Sequence, residues 1–93
     1  MAVADILAAL ADDNRRHILE TLRRGRICSG DLAAELGMSP QALSYHLAKL
    51  KKAELIYETR QKNFIYYELD LTVLDEAIFW LKTLRGGNEH ESQ

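Results

Sequence analysis

The stretch SPQALSYHLAKLKKAEL, residues 39–55, decides how the rest of the chain is read. Ser39 is a favourable helix N-cap, and Pro40 stands at the first helical position, where its missing N–H costs nothing. At about 100° per residue, Leu43, Leu47 and Leu50 fall on one side and form a stripe for a core. Gln41, Tyr45, Ala48 and Lys52 fall near the opposite side, with Ser44 at its border. The first part of that outer face is polar but uncharged, and Lys49, Lys51 and Lys52 gather toward its end. A surface that only has to stay wet does not need this division, but a surface that reads DNA does. Glutamine can bond adenine bidentately, serine and tyrosine can bond base edges or phosphates, and an alanine methyl can touch a thymine methyl. Lysines supply phosphate contacts that position a helix without specifying sequence. His46 lies nearer the leucine stripe and reads as structural.

Upstream, CSGDLAAELGMS (residues 28–39) reads as a short helix capped by Ser29 and closed by Gly37. A short helix, a glycine-containing turn and a second helix make a helix-turn-helix. In ADDNRRHILETLRRG (11–25), Asp12 is a candidate N-cap and Asp13 a first-turn acid. Ile18, Leu19 and Leu22 form the apolar stripe there, Arg23 and Arg24 sit in the last turn, and Gly25 is the stop. The opening VADILAALA (3–11) is apolar except for Asp5, which predicts a helix buried on more than one side.

Downstream, LIYET and FIYYEL flank the polar RQKN (60–63) and read as a β-hairpin. LTVLDEAIFWLKTLRGG (71–87) reads as a last helix with Lys82 and Arg85 near its end. Residues 1–87 form the expected single domain, and the tail NEHESQ (88–93) is expected to be disordered. The fold class is therefore mainly α with a β-hairpin wing.

A chain of 93 residues supports one small domain of marginal stability, which a partner subunit would reinforce. No apolar run approaches the roughly 20 residues that span a bilayer, so no membrane insertion is expected. The start lacks the basic region of a secretory signal, and the single cysteine, Cys28, fits a reducing compartment. The chain is expected to be cytoplasmic. The net charge of −2 hides a polarised distribution. Between Gln41 and Lys62, Lys49, Lys51, Lys52, Arg60 and Lys62 oppose only Glu54 and Glu58. From Glu68 onward, Glu68, Asp70, Asp75, Glu76, Glu89 and Glu91 oppose only Lys82 and Arg85. No Ser/His/Asp constellation, phosphate-binding glycine loop or carboxylate pair suggests catalysis, so the chain is not expected to be an enzyme.

The order helix, helix, helix-turn-helix, hairpin, helix resembles the winged helix-turn-helix of the ArsR/SmtB family of bacterial repressors. The resemblance is carried by ALADDNRRHILETL, SGDLAAELGMSPQALSYHLAKLKKAELI and FIYYEL, and spans about Leu7 to Leu84. Within the family it is strongest to the small SdpR-type autorepressors, which lack a metal site. It implies base contacts from Gln41, Ala42, Ser44 and Tyr45, with phosphate contacts from Ser39 and the wing. Lys49 and Lys52 join the expected DNA contacts, as do Arg60, Lys62 and Asn63 of the wing. The family's wing usually carries a glycine. None stands here, and Asn63 is the residue expected to take a positive φ in its place.

Family metal sites are matched only in part. One uses a Cys-x-Cys pair at the start of the third helix, where this chain has Cys28 and Gly30. One thiolate is too few for a zinc site. Another uses Asp-x-His on the last helix with His and Glu further on. Asp75 could match, but Ala77 replaces the histidine, and His90 and Glu91 lie in the tail. His17 is isolated, Cys28 reads as a small buried hydrophobe, and no metal or cofactor is expected.

The last helix has two adjacent apolar stripes: Leu74, Ile78 and Leu81, then Val73, Ala77, Trp80 and Leu84. With Val3, Ile6, Leu7 and Leu10 of the first helix, they suggest a homodimer joined through the terminal helices, as the resemblance also implies. A two-fold dimer would set two reading helices about 34–36 Å apart on double-stranded DNA and call for a near-palindromic operator. The expectation is a dimeric, sequence-specific repressor, autoregulatory and relieved by a protein partner rather than a metal. The alternatives are a metal- or thiol-responsive ArsR/SmtB repressor, in which a redox role needs a second thiol across the dimer, and a winged-helix protein-interaction module without DNA.

Overall fold

Residues 3–86 are described by the computed structural model. They form α1 (Val3–Leu10), α2 (Asp13–Leu22), β1 (Ile27–Cys28), α3 (Ser29–Leu36), α4 (Pro40–Lys52), β2 (Ile56–Gln61), β3 (Phe64–Leu69) and α5 (Leu71–Leu84). The tail 88–93, for which disorder is expected, lies outside the described residues, as do His90 and Glu91.

Local chemistry sets the helix starts. The Asp12 carboxylate accepts from the Arg15 backbone N–H at 3.1 Å, Ser39 Oγ accepts from Ala42 at 3.1 Å, and Asp70 accepts from Thr72 at 3.0 Å. Ser29 is not a cap. Cys28 occupies the N-cap position of α3 without a side-chain cap bond. Ile27 and Cys28 are drawn into a strand, paired with Tyr67 and Tyr66, and the helix follows directly at Ser29, one residue earlier than a Ser29 cap would place it. Likewise α2 ends at Leu22, with Arg23 as its C-cap, so Arg23 and Arg24 lie past its last turn.

Helices α3 and α4 both close with a left-handed residue. At Gly37, φ is +66°, Gly37 N–H donates to Ala34 and Met38 N–H donates to Ala33. This double bond pattern turns the chain sharply into α4 and requires a φ that suits glycine. The same pattern ends α4: Glu54 N–H donates to Lys51, Leu55 N–H donates to Leu50, and Glu54 has φ +62°. The 39–55 stretch is thus helix only to Lys52.

The sheet order is β1-β3-β2, all antiparallel. Gln61 pairs with Phe64, so β2 absorbs Arg60 and Gln61, and the hairpin loop shrinks to Lys62 and Asn63. Lys62, not Asn63, carries the positive φ of +56°. Positive φ at the first of two loop residues matches the strand twist, as in type II′ hairpins.

The core gathers Ile6, Ile18, Leu22, Leu32 and Leu50 at its most buried points, with Leu43, Leu47, Leu55, Ile56, Tyr67, Val73 and Ala77 around them. Each leucine of the α4 stripe contributes about 1.5–3 kcal/mol on full burial, so the stripe dictates which face of α4 looks outward. Helix α1 packs on α2, α4 and α5. It buries Ile6 and Ala9 on one side, and Leu7 stays exposed, because none of the described residues forms a second layer over it.

Candidate nucleic-acid interface

Gln41, Ala42, Ser44, Tyr45, Ala48, Lys49 and Lys52 are all exposed on α4, opposite buried Leu43, Leu47 and Leu50. Ser39 and Pro40 are exposed at the N-terminus of the helix. Tyr45 is 58% exposed, so its ring is open to whatever meets this face of α4. The Lys49 Nζ sits 5.2 Å from the Tyr45 ring centroid, a cation–π contact that holds the ammonium beside the reading edge. Lys51 behaves differently. Its Nζ donates to Glu58 on β2 at 2.9 Å, which raises the lysine's pKa and lowers that of the carboxyl. This exposed pair ties the end of α4 to the wing's first strand and is worth about 0–1 kcal/mol.

Behind the reading face lies a buried polar cluster. His46 is 9% exposed, in line with its structural reading, and its Nδ1 accepts from Arg15 Nη1 at 3.3 Å, since a guanidinium can only donate. Asp12 Oδ2 lies 3.8 Å from the same nitrogen. Arg15 Nε donates to the Ala9 carbonyl at 2.8 Å and Nη2 to the Ala8 carbonyl at 3.2 Å. One side chain therefore closes the carbonyl end of α1 and reaches the reading helix. The Asp12 carboxyl is held below its ordinary range, first by the Arg15 backbone N–H. The sequence reading missed Arg15. The signal was available, because Arg15, Ile18 and Leu22 share one helical face and all three are buried.

On the wing, Arg60, Lys62 and Asn63 are exposed, with Lys62 and Asn63 at the tip. Arg26 was also missed. Its guanidinium lies over the Tyr66 ring at 4.2 Å and donates to Gln61 at 2.6 Å, clasping the hairpin from outside β1.

The terminal helices split the expected interface residues into two sets. Ile6 and Ala77 belong to the monomer's own core, at 0% and 3% exposure, and cannot touch a partner. Val3, Leu10 and Leu74 are half-buried, the last two against the core. Leu7, Ile78, Trp80, Leu81 and Leu84 are exposed. Phe79, 61% exposed, and Leu71 join that surface, and the sequence reading named neither of them.

Cys28 is half-buried rather than buried. Among the described residues no three His, Cys, Asp or Glu side chains gather as a metal site, and no helix is long and apolar enough to cross a membrane.

A helix-turn-helix whose second helix presents an uncharged polar edge, followed by a two-stranded wing, is a winged helix-turn-helix. The family described as "Bacterial regulatory protein, arsR family" matches residues 12–58, and the chain belongs to that family. It is similar to the transcriptional repressor SdpR of Bacillus subtilis, 40% identical over 83% of this chain and 86% of the relative. It is 31% identical to the arsenical resistance operon repressor of Staphylococcus aureus over 94% of this chain and 84% of that protein. Among solved structures, an ArsR-like transcriptional regulator from Rhodococcus sp. RHA1 superposes with a TM-score of 0.86 at 27% identity, covering 96% of this chain and 82% of that one. These are regulators, and the chain is not an enzyme.

Proposed function

We propose that the chain is a homodimeric, sequence-specific repressor that blocks a promoter by occupying a near-palindromic operator on double-stranded DNA. The observation that carries this reading is the exposed, uncharged edge Gln41–Ala42–Ser44–Tyr45 on α4, held outward by three buried leucines and flanked by Lys49 and Lys52. Gln41, Ala42, Ser44 and Tyr45 meet base edges; Ser39, Lys49, Lys52, Arg60, Lys62 and Asn63 meet phosphates. The exposed apolar face of α5, with Leu7 of α1, joins the two copies.

Likeness to a repressor named SdpR supports repression. Autoregulation and relief by a protein partner follow the SdpR-type pattern that the sequence resembles. Gating without a metal is supported by the lone Cys28, with Gly30 in place of a second thiolate.

Fluorescence anisotropy with a labelled duplex from upstream of the chain's own gene tests this reading. Affinity is expected to exceed that for random duplex by about a thousandfold or more, to fall steeply with salt, and to ignore zinc, cadmium and arsenite. Equal affinity for random duplex, or none at low salt, would leave the protein-interaction module standing instead. Release by any of the three metals would favour the metal-gated repressor.

A further inference from the structure

A crevice of about 270 Å3 opens between α1 and the second half of α4, and its lining is neither a plain solvent groove nor an apolar pocket. Ala8, Ala9 and Ala53 contribute methyl groups, and Tyr45 contributes its ring. Arg15, Lys49 and Lys52 contribute positive charge. Asp5 is the one carboxylate among the described lining residues. No carboxylate of the described residues is within ion-pair distance of Arg15, Lys49 or Lys52.

Arg15 is the telling member. It is only 9% exposed, so its charge is largely desolvated, and the nearby Asp12 carboxylate bonds its backbone N–H without forming a direct ion pair with the guanidinium. Its guanidinium has five N–H donors, and three of them serve Ala9, Ala8 and His46. Two donors have no partner among the described residues, and Arg15 lines the crevice.

We propose that this crevice is a ligand site for a small organic monocarboxylate with an apolar body, and that its occupation releases DNA. The carboxylate meets the spare Arg15 donors and the two lysines through charge-assisted bonds. The body lies on the alanine methyls and the Tyr45 ring. A volume near the lower limit of ordinary ligand pockets admits an acid of about ten heavy atoms. Asp5 offsets one of the three positive charges and leaves the lining at a net +2, which still attracts an anion. Tyr45, Lys49 and Lys52 cannot serve ligand and duplex together, so each lowers affinity for the other by the same factor. This second half rests on the DNA-binding reading above; the ligand site itself does not.

Benzoate is the probe, with benzyl alcohol as its uncharged counterpart and inorganic phosphate as charge without an apolar body. Titration of the full chain followed by heteronuclear NMR is expected to give saturable shifts at Ala8, Tyr45 and Lys49 with benzoate. Benzyl alcohol and phosphate are expected to bind at least about tenfold more weakly. Ala8→Leu fills the crevice from an exposed helical position that tolerates leucine. It should weaken benzoate about tenfold or more while operator affinity stays unchanged. Asp5→Asn should tighten benzoate and phosphate alike. In anisotropy, benzoate should release the operator from wild type and not from Ala8→Leu. Absent or unsaturable shifts, equal binding of benzyl alcohol, or full binding by Ala8→Leu would overturn the site. Saturable benzoate binding with operator affinity unmoved would overturn the coupling. Failure to bind any duplex would sink the DNA reading and leave the NMR result to judge the site alone.

Discussion

Helices α4 and α5 are close to a matched pair. They span 13 and 14 residues, each begins at a side-chain N-cap, and each ends with lysine in its last turn. Each also buries one stripe: Leu43, Leu47 and Leu50 on α4, Val73 and Ala77 on α5. They differ in what remains outside. On α4 the exposed large side chains are glutamine, tyrosine and lysine; on α5 Asp75, Glu76 and Lys82 are exposed too, but beside Ile78, Phe79, Trp80, Leu81 and Leu84. Burial explains only why both belong to one core. The outer face tells what each meets next: a polar, partly charged surface suits nucleic acid, and contiguous exposed apolar area suits another protein surface.

The contrast can be broken at several points. Leu50→Ala removes a fully buried side chain from the stripe and should cost about 2–5 kcal/mol of folding stability in urea titrations. A loss below that range would mean that the α4 stripe does not hold the reading face in place. Trp80→Ala should leave the fold of one chain intact yet weaken self-association by about 2–4 kcal/mol in sedimentation equilibrium. An unchanged association constant would remove the α5 face from any interface. Gln41→Ala should cost about 1–3 kcal/mol on specific duplex alone, whereas Lys62→Ala should weaken every duplex alike and reduce the salt slope by about 1. Equal losses on specific and random duplex for Gln41→Ala would cancel its role as a reader.

Glu54→Gly relieves a left-handed non-glycine residue just past α4 and should stabilise the chain by about 1 kcal/mol in thermal unfolding. No gain would mean that the Glu54 side chain compensates for its backbone. The smallest effect concerns pH. The Asp12 carboxyl is depressed below its ordinary 3.8 in the folded chain, chiefly by the Arg15 backbone N–H. Its contribution is therefore complete above that value and fades as pH falls through the lower, folded value. Asp12→Asn keeps the acceptor but not the titration, so wild type's margin over it should shrink only in acid. A margin that stays constant down to the acid transition would detach the cap from the stability of α2.

Much of this was legible in the residues. Ser39-Pro40, Asp12 and Gly37 announced three helix boundaries because capping and left-handed turns depend on a few adjacent atoms. The α4 stripe announced its buried face because 3.6-residue periodicity is local as well. The misreadings share the opposite property. Ser29 lost the cap position because Cys28 and Ile27 pair with Tyr66 and Tyr67, almost forty residues away. RQKN shrank to a two-residue loop because cross-strand register extended both strands toward the tip. Arg15 was overlooked because its partners are the carbonyls of α1 and a histidine on α4.

The sequence alone determined the helix-turn-helix, the wing, the outward polar edge of α4 and the family, since each follows from periodicity, capping chemistry and residue type within short windows. Tertiary structure decided which apolar residues remain uncovered. Ala77 vanishes into the core while Trp80, three residues further along the same apolar stripe, stays exposed, and helical period alone does not distinguish the two. That outcome depends on how much area neighbouring elements can cover, which is a property of their arrangement in space rather than of any residue's neighbours along the chain.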